Sequence, residues 1–97
     1  GPETLQKNLA NKFLSLLLES GELPAKILFY TDGVKLACKG SDVIGVLTSM
    51  KDKGVELILC KTCLDIYGLT DSVEVGIIGG MPDIIQAMQK ADKVISL

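Results

Sequence analysis

Histidine, arginine and tryptophan are all absent from this sequence. Without an imidazole, serine or cysteine triads with a histidine base are excluded within one chain, and so are histidine metal sites. Without a guanidinium there is no bidentate fork for phosphate. The lysines are scattered singly and the net charge is -2, so the clustered positive surface that a nucleic-acid backbone requires is missing as well. No run approaches the roughly 20 apolar residues that span a bilayer, and the start lacks the basic stretch and apolar core of a signal peptide. These absences predict a soluble, cytoplasmic protein with no membrane and no nucleic-acid partner.

What remains is a chain of 97 residues, 47% hydrophobic, which suits one domain with a continuous core. A domain of this size buries roughly 60 to 70% of its unfolded surface and needs no covalent staples. Its three cysteines, Cys38, Cys60 and Cys63, are an odd number for a disulfide framework and fit a reducing compartment. Gly1-Pro2 reads as the remnant of a protease cleavage and is left out of the fold reasoning.

From Glu3 to Ser20 the residues Leu5, Leu9, Phe13, Leu16 and Leu17 recur at steps of three and four, with Ala10, Leu14 and Leu18 widening the stripe. This predicts an amphipathic helix with a broad buried face. Lys26 to Thr31 is an apolar run suited to a central parallel strand, and it ends at Asp32-Gly33. Ser41 or Asp42 offers an N-cap for a helix whose face carries Val43, Ile44, Val46, Leu47 and Met50, ending at Lys53-Gly54. Val55 to Cys60 predicts a second buried strand, Thr62 to Tyr67 a short helix closed by Gly68, and Val73 to Ile78 a strand with one face partly open. After Gly79-Gly80-Met81, Pro82 suits a helix start, and Ile84, Ile85, Met88 and Ala91 are expected to face the sheet. Asp92 to Leu97 predicts a last short strand.

Helices alternating with four strands imply a three-layer α/β/α domain with a mainly parallel sheet, spanning residues 1–97 as one unit. A helix comes first where such domains usually begin with a strand. Either a first strand lies upstream, or the sheet has only four strands.

In open parallel sheets, ligands collect beyond the carboxyl ends of the strands. The residues there are Thr31, Asp32 and Gly33, then Cys60 to Cys63 including Lys61 and Thr62, then Gly79 to Pro82. A thiol at a helix start favours its thiolate, which is the nucleophile, and Lys61 offers a positive neighbour. Each residue also has an ordinary role: Cys60 and Cys38 as core, Lys61 as a solvated cation, Asp32 as a turn former, Gly79 and Gly80 as turn glycines. Three cysteines without histidine cannot complete a zinc site in one chain, so no metal is expected. The pair has the Cys-x-x-Cys spacing of thioredoxin-type dithiols without their flanking residues, and Gly79-Gly80 lacks the spacing of a dinucleotide fingerprint.

Three segments resemble the DsrE-like family of small sulfur-relay proteins, and within it the YedF-like subgroup linked to selenium metabolism. They are Leu28 to Leu36, the stretch Gly54 to Leu69 with its Cys60-Lys61-Thr62-Cys63 motif, and the closing Ala91 to Leu97. The resemblance implies a flavodoxin-like sheet, homo-oligomers, and a cysteine that carries persulfide sulfur, at the position of Cys60. Cys63 matches the second cysteine of the subgroup, whose commoner motif has glycine at the position of Lys61. It further implies that the chain begins after the family's first strand, and that a small sulfur-carrier-like domain precedes it.

The function expected is that of a sulfur-relay protein or sulfurtransferase, carrying sulfane sulfur or selenium on Cys60 with Cys63 assisting. Thiol exchange needs no cofactor. The partners expected are further copies of the chain and a sulfur-carrier protein or cysteine desulfurase. The competing expectations are a non-catalytic oligomeric binding module, in which the cysteines are core, and a disulfide redox protein.

Overall fold

Two short runs that are apolar on both alternating faces take the middle of the sheet, because only there are both faces covered. They are β1 (Lys26–Phe29) and β2 (Glu56–Cys60). The computed structural model describes residues 2–90 and 94–96. Its other elements are α1 (Pro2–Ser20), a 3₁₀ segment (Thr31–Ala37), α2 (Ile44–Asp52), α3 (Lys61–Tyr67), a 3₁₀ turn (Thr70–Ser72), β3 (Ile77–Gly79), α4 (Met81–Lys90) and β4 (Val94–Ser96).

The sheet has four parallel strands in the order β3-β2-β1-β4. The chain therefore steps one way from β1 to β2 to β3, then returns past both to β4. Right-handed crossovers place connections running in opposite directions on opposite faces, so α2 and α4 cover different sides of the sheet. Helix α1 packs against α2 and shares its side. The three-layer α/β/α arrangement with four strands is thus as expected. Ile27, Leu28, Phe29 and Leu59 are fully buried, and each such side chain contributes roughly 1.5 to 3 kcal/mol of hydrophobic stabilisation.

Several local expectations are corrected. In α1 the buried seam is Leu14, with Leu17 and Leu18 partly covered, whereas Leu9, Phe13 and Leu16 are exposed. A helix packed on one side covers a stripe of limited width, and Leu14 and Leu18, which widened the pattern, share it with Leu17. The side chain of Leu5 lies outside the described residues. Among the described side chains of α4 only Ile84 is buried, while Ile85 and Met88 face outward and Ala91 lies outside the described residues. Ser41 does not cap α2: its hydroxyl accepts the Val43 amide at 3.2 Å, and the helix starts one residue later.

Strand β1 ends at Phe29, two residues short of Thr31, because the chain turns at once into the 3₁₀ segment. The strand expected at Val73 to Ile78 is divided. Val73 makes an isolated antiparallel bridge to Cys38, and the amides of Glu74 and Val75 both donate to the Ala37 carbonyl. Gly76 then turns with φ +96°, and β3 begins only at Ile77. The alternating valines are real, but they pair with the 3₁₀ segment rather than with β2. Of the last strand, Asp92, Lys93 and Leu97 lie outside the described residues.

Gly76 is held to glycine twice over. A Cβ there would stand 2.8 Å from Leu59 Cδ1 and 3.0 Å from the Leu57 carbonyl oxygen, in a backbone conformation L side chains rarely adopt. Gly54, at φ +98°, has the same conformational demand but open space around it. Gly54→Ala is expected to cost about 1–2 kcal/mol from backbone strain alone. Gly76→Ala adds overpacking of about 1–3 kcal/mol. Urea unfolding of both variants checks this, and equal losses would show that the clash at Gly76 relaxes freely.

Candidate functional site: a thiol pair at the sheet switch point

The connection leaving β2 runs to the α2 side of the sheet, and the one leaving β3 runs to the α4 side. Adjacent strands whose connections part in this way open a crevice at their carboxyl ends, the usual ligand position in parallel α/β sheets. Cys60 is the last residue of β2 and pairs in register with Gly79, the last of β3. Cys63 follows in the first turn of α3, which Gly68 closes in the left-handed conformation with φ 68°.

The two thiols differ in exposure. Cys60 is 5% exposed and belongs to the core, whereas Cys63 is half-buried. The Thr31 backbone N–H, two residues beyond the end of β1, donates to Cys63 Sγ at 3.1 Å. Thr31 reaches that position with φ 45°, costly for a β-branched residue by roughly 1–2 kcal/mol. The turn is held from behind by the Gly33 amide, which donates to the Tyr30 carbonyl at 2.7 Å. Strain fixed by surrounding structure is a recurrent feature of functional sites.

Cys63 also senses its neighbour Cys60. The Thr31 amide draws the Cys63 pKa down, but burial and the hydrogen bond and charge of the neighbouring Cys60 outweigh it, and the net direction is upward from 9.0. This corrects the expectation of a lowered thiol at Cys63. Helix α3 has only seven residues, and a second thiolate beside the first is unfavourable in a partly buried site. Cys38 is a different case. It is buried, its thiol donates to the Val34 carbonyl at 3.2 Å, and burial raises its pKa, as befits a core residue.

Asp32, expected as a neighbour of the thiol site, belongs to an exposed cluster at its rim. Tyr67 lies one helical turn from Cys63, and its hydroxyl is a neighbour of the Asp32 carboxylate. The Tyr67 hydroxyl first, then Lys35, holds the Asp32 carboxyl below its usual value. Lys35 Nζ is 3.3 Å from Asp32 Oδ1 and 4.7 Å from the centre of the Tyr67 ring. The Tyr67 phenol is raised first by the neighbouring Asp32 carboxylate, then by burial, with a small contribution from Cys63. Sequence reasoning passed over Tyr67 and Lys35. The spacing of Cys63 and Tyr67, four residues apart on a helix, was the signal for the first.

The other expected residues are not drawn to the thiols. Lys61 Nζ binds Asp65 Oδ2 at 2.9 Å, and Asp65 also accepts from Thr70 at 2.7 Å, so this lysine is engaged along its own helix. Thr62 is exposed. Gly79 is needed for close packing, since a Cβ would lie 2.8 Å from Ile58 Cγ2. The Gly80 amide donates to Asp83 Oδ2 at 3.0 Å, the half of a capping box that a glycine N-cap can make, and the Gly80 carbonyl accepts the first helical bond from Ile84. A cavity of about 340 Å³ beside α4 is lined by Lys26, Glu56, Ile58, Ile77, Asp83 and Gln86 among others, none of them a cysteine. Among the described residues, no three histidine, cysteine, aspartate or glutamate side chains gather as a metal site, and no helix is long and apolar enough to cross a membrane.

Fold and site together describe a small three-layer α/β protein with a thiol pair at the switch point of its parallel sheet. The DsrE/DsrF-like family matches the chain over residues 1–97, and the chain belongs to that family, one associated with sulfur relay. The YchN protein from E. coli, known from its crystal structure, is similar with a TM-score of 0.64 and 24% identity, over 94% of this chain and 82% of that one. At this identity the likeness is one of fold. No curated protein matches the sequence.

Removing Cys60 removes two of the influences that raise the Cys63 pKa. In Cys60→Ala the midpoint of Cys63 alkylation against pH is expected to fall below that of the wild type. A midpoint that stays or rises would show that burial alone governs this thiol.

Proposed function

We propose that this chain is a sulfur-relay protein that takes sulfane sulfur from a donor persulfide and holds it as a persulfide on Cys60, with Cys63 assisting. The observation that carries this is the meeting of two thiols and a strained backbone N–H at the carboxyl ends of β1 and β2. The amide can stabilise an anionic sulfur where the chain has neither imidazole nor guanidinium. Thiol exchange conserves the sulfur oxidation states overall, so the chemistry requires no cofactor. Family membership fits this role without fixing it, because function resides in the site rather than the fold. A cysteine desulfurase or a sulfur-carrier protein is the partner class this chemistry calls for, and selenium would follow the same path through a selenopersulfide. The YedF-like motif and a cytoplasmic location belong to the same proposal.

The chain also leaves apolar stripes uncovered: Leu9, Phe13 and Leu16 on α1, and Met81, Ile85 and Met88 on α4. Such exposed surfaces are what homo-oligomer contacts use, and they favour self-association. Light scattering is expected to give a mass above that of one chain, lowered by Ile85→Glu with Met88→Glu. An unchanged mass would move the contact away from α4.

Sulfur carriage is tested by intact-mass spectrometry of the reduced protein after incubation with a cysteine desulfurase and cysteine. A gain of one sulfur is expected in the wild type and none in the variant lacking both Cys60 and Cys63. No gain in folded, reduced wild type would favour a binding module, and a Cys60–Cys63 disulfide without sulfur uptake would favour a redox protein.

A further inference from the structure

We infer that sulfur enters on Cys63 and only then passes inward to Cys60, so that the thiol that meets the donor is not the one that stores the sulfur. This rests on the sulfur-relay function proposed above and concerns the order of its steps. Cys60 ends a strand flanked on both sides by β1 and β3 and is 5% exposed. An incoming persulfide must align its sulfane sulfur with the attacking thiolate along the S–S axis, and the buried Cys60 offers little room for that approach. Cys63 is half-buried, with Thr62, Ile66 and Tyr67 exposed on the same short helix. The Thr31 N–H bond, 3.1 Å from Cys63 Sγ, holds that sulfur and disperses its negative charge both before attack and when it departs. Cys60 is the N-cap residue of the helix whose first turn carries Cys63, so the two thiols flank one strand-to-helix junction and the sulfur has a short path inward.

The steps balance without an oxidant. The Cys63 thiolate attacks the terminal sulfur of a donor R–S–SH: a Cys63 S–S bond forms, the donor S–S bond breaks, and the donor leaves as a thiolate. The Cys60 proton passes to that released thiolate. The Cys60 thiolate then attacks the same terminal sulfur, its own S–S bond forms, and Cys63 leaves as a thiolate bonded again to the Thr31 amide. Attack on the inner sulfur instead would make a Cys60–Cys63 disulfide and release sulfide.

Glutathione persulfide serves as the donor in a time course of intact mass, with far-UV circular dichroism confirming that each variant is folded. Cys63→Ala is expected to load at least about tenfold more slowly than the wild type. Cys60→Ala is expected to take up sulfur on Cys63 and to lose it to added glutathione at least about tenfold faster, because a half-buried persulfide is open to thiol attack. If either alanine variant does not fold, the serine variant replaces it. Independently, brief substoichiometric alkylation of the wild type followed by peptide mapping should place the label on Cys63 and block loading. Wild-type loading with an equally fast Cys63→Ala overturns the order of steps and leaves the relay itself standing. Stoichiometric sulfide release with disulfide formation overturns the inward transfer. A wild type that takes up no sulfur from either donor removes both the relay and the order.

Discussion

The in-register parallel pairing of Lys26–Phe29 with Glu56–Cys60 is the constraint on which the rest of the structure depends. Because the strands run in the same direction and in step, their carboxyl ends finish side by side. Whatever follows Phe29 must therefore meet whatever follows Cys60. The Thr31 amide and the Cys63 thiol, 32 positions apart in the chain, become hydrogen-bond partners for that reason. Had the strands been antiparallel, the same residues would lie at opposite ends of the pair. Because both faces are covered, a slip of one residue along either strand would draw its leading charged residue, Lys26 or Glu56, into a buried position.

The site that results is governed by competition over negative charge. A backbone N–H favours a thiolate at Cys63, while burial and the second thiol oppose it, and the opposition prevails. A thiolate at Cys63 that its surroundings disfavour suits a site where that sulfur must hand charge on rather than keep it. The rim cluster of Asp32, Lys35 and Tyr67 adds no net charge when Asp32 and Lys35 are both ionised. Its contribution is to fix the Tyr67 ring one turn beyond Cys63.

Much of the fold was legible because the signals were local. Apolar runs marked β1 and β2, Gly68 marked the end of α3, and Val43, Leu47 and Met50 marked the buried face of α2. Where the signals were ambiguous, tertiary packing decided. The stripe in α1 was broad enough to be buried in more than one way, and Ile85 and Met88 look the same in sequence whether they face a sheet or a partner. The valines before Gly76 alternate as a strand does, yet their hydrogen bonds go to Ala37 and Cys38, which no periodicity announces.

The sequence by itself determined the layered α/β class, the parallel order of elements, and the restriction of nucleophilic chemistry to thiols, because composition and hydrophobic periodicity are properties of the chain as written. It also brought Cys60 and Cys63 together, since their spacing straddles a strand end and a helix start. Only the tertiary structure decided which thiol is covered, which amide reaches Cys63, and that Lys61 turns to Asp65 instead of toward the sulfurs. Burial, hydrogen bonding and charge coupling depend on distances between residues far apart in the chain, and those distances exist only once the sheet has closed.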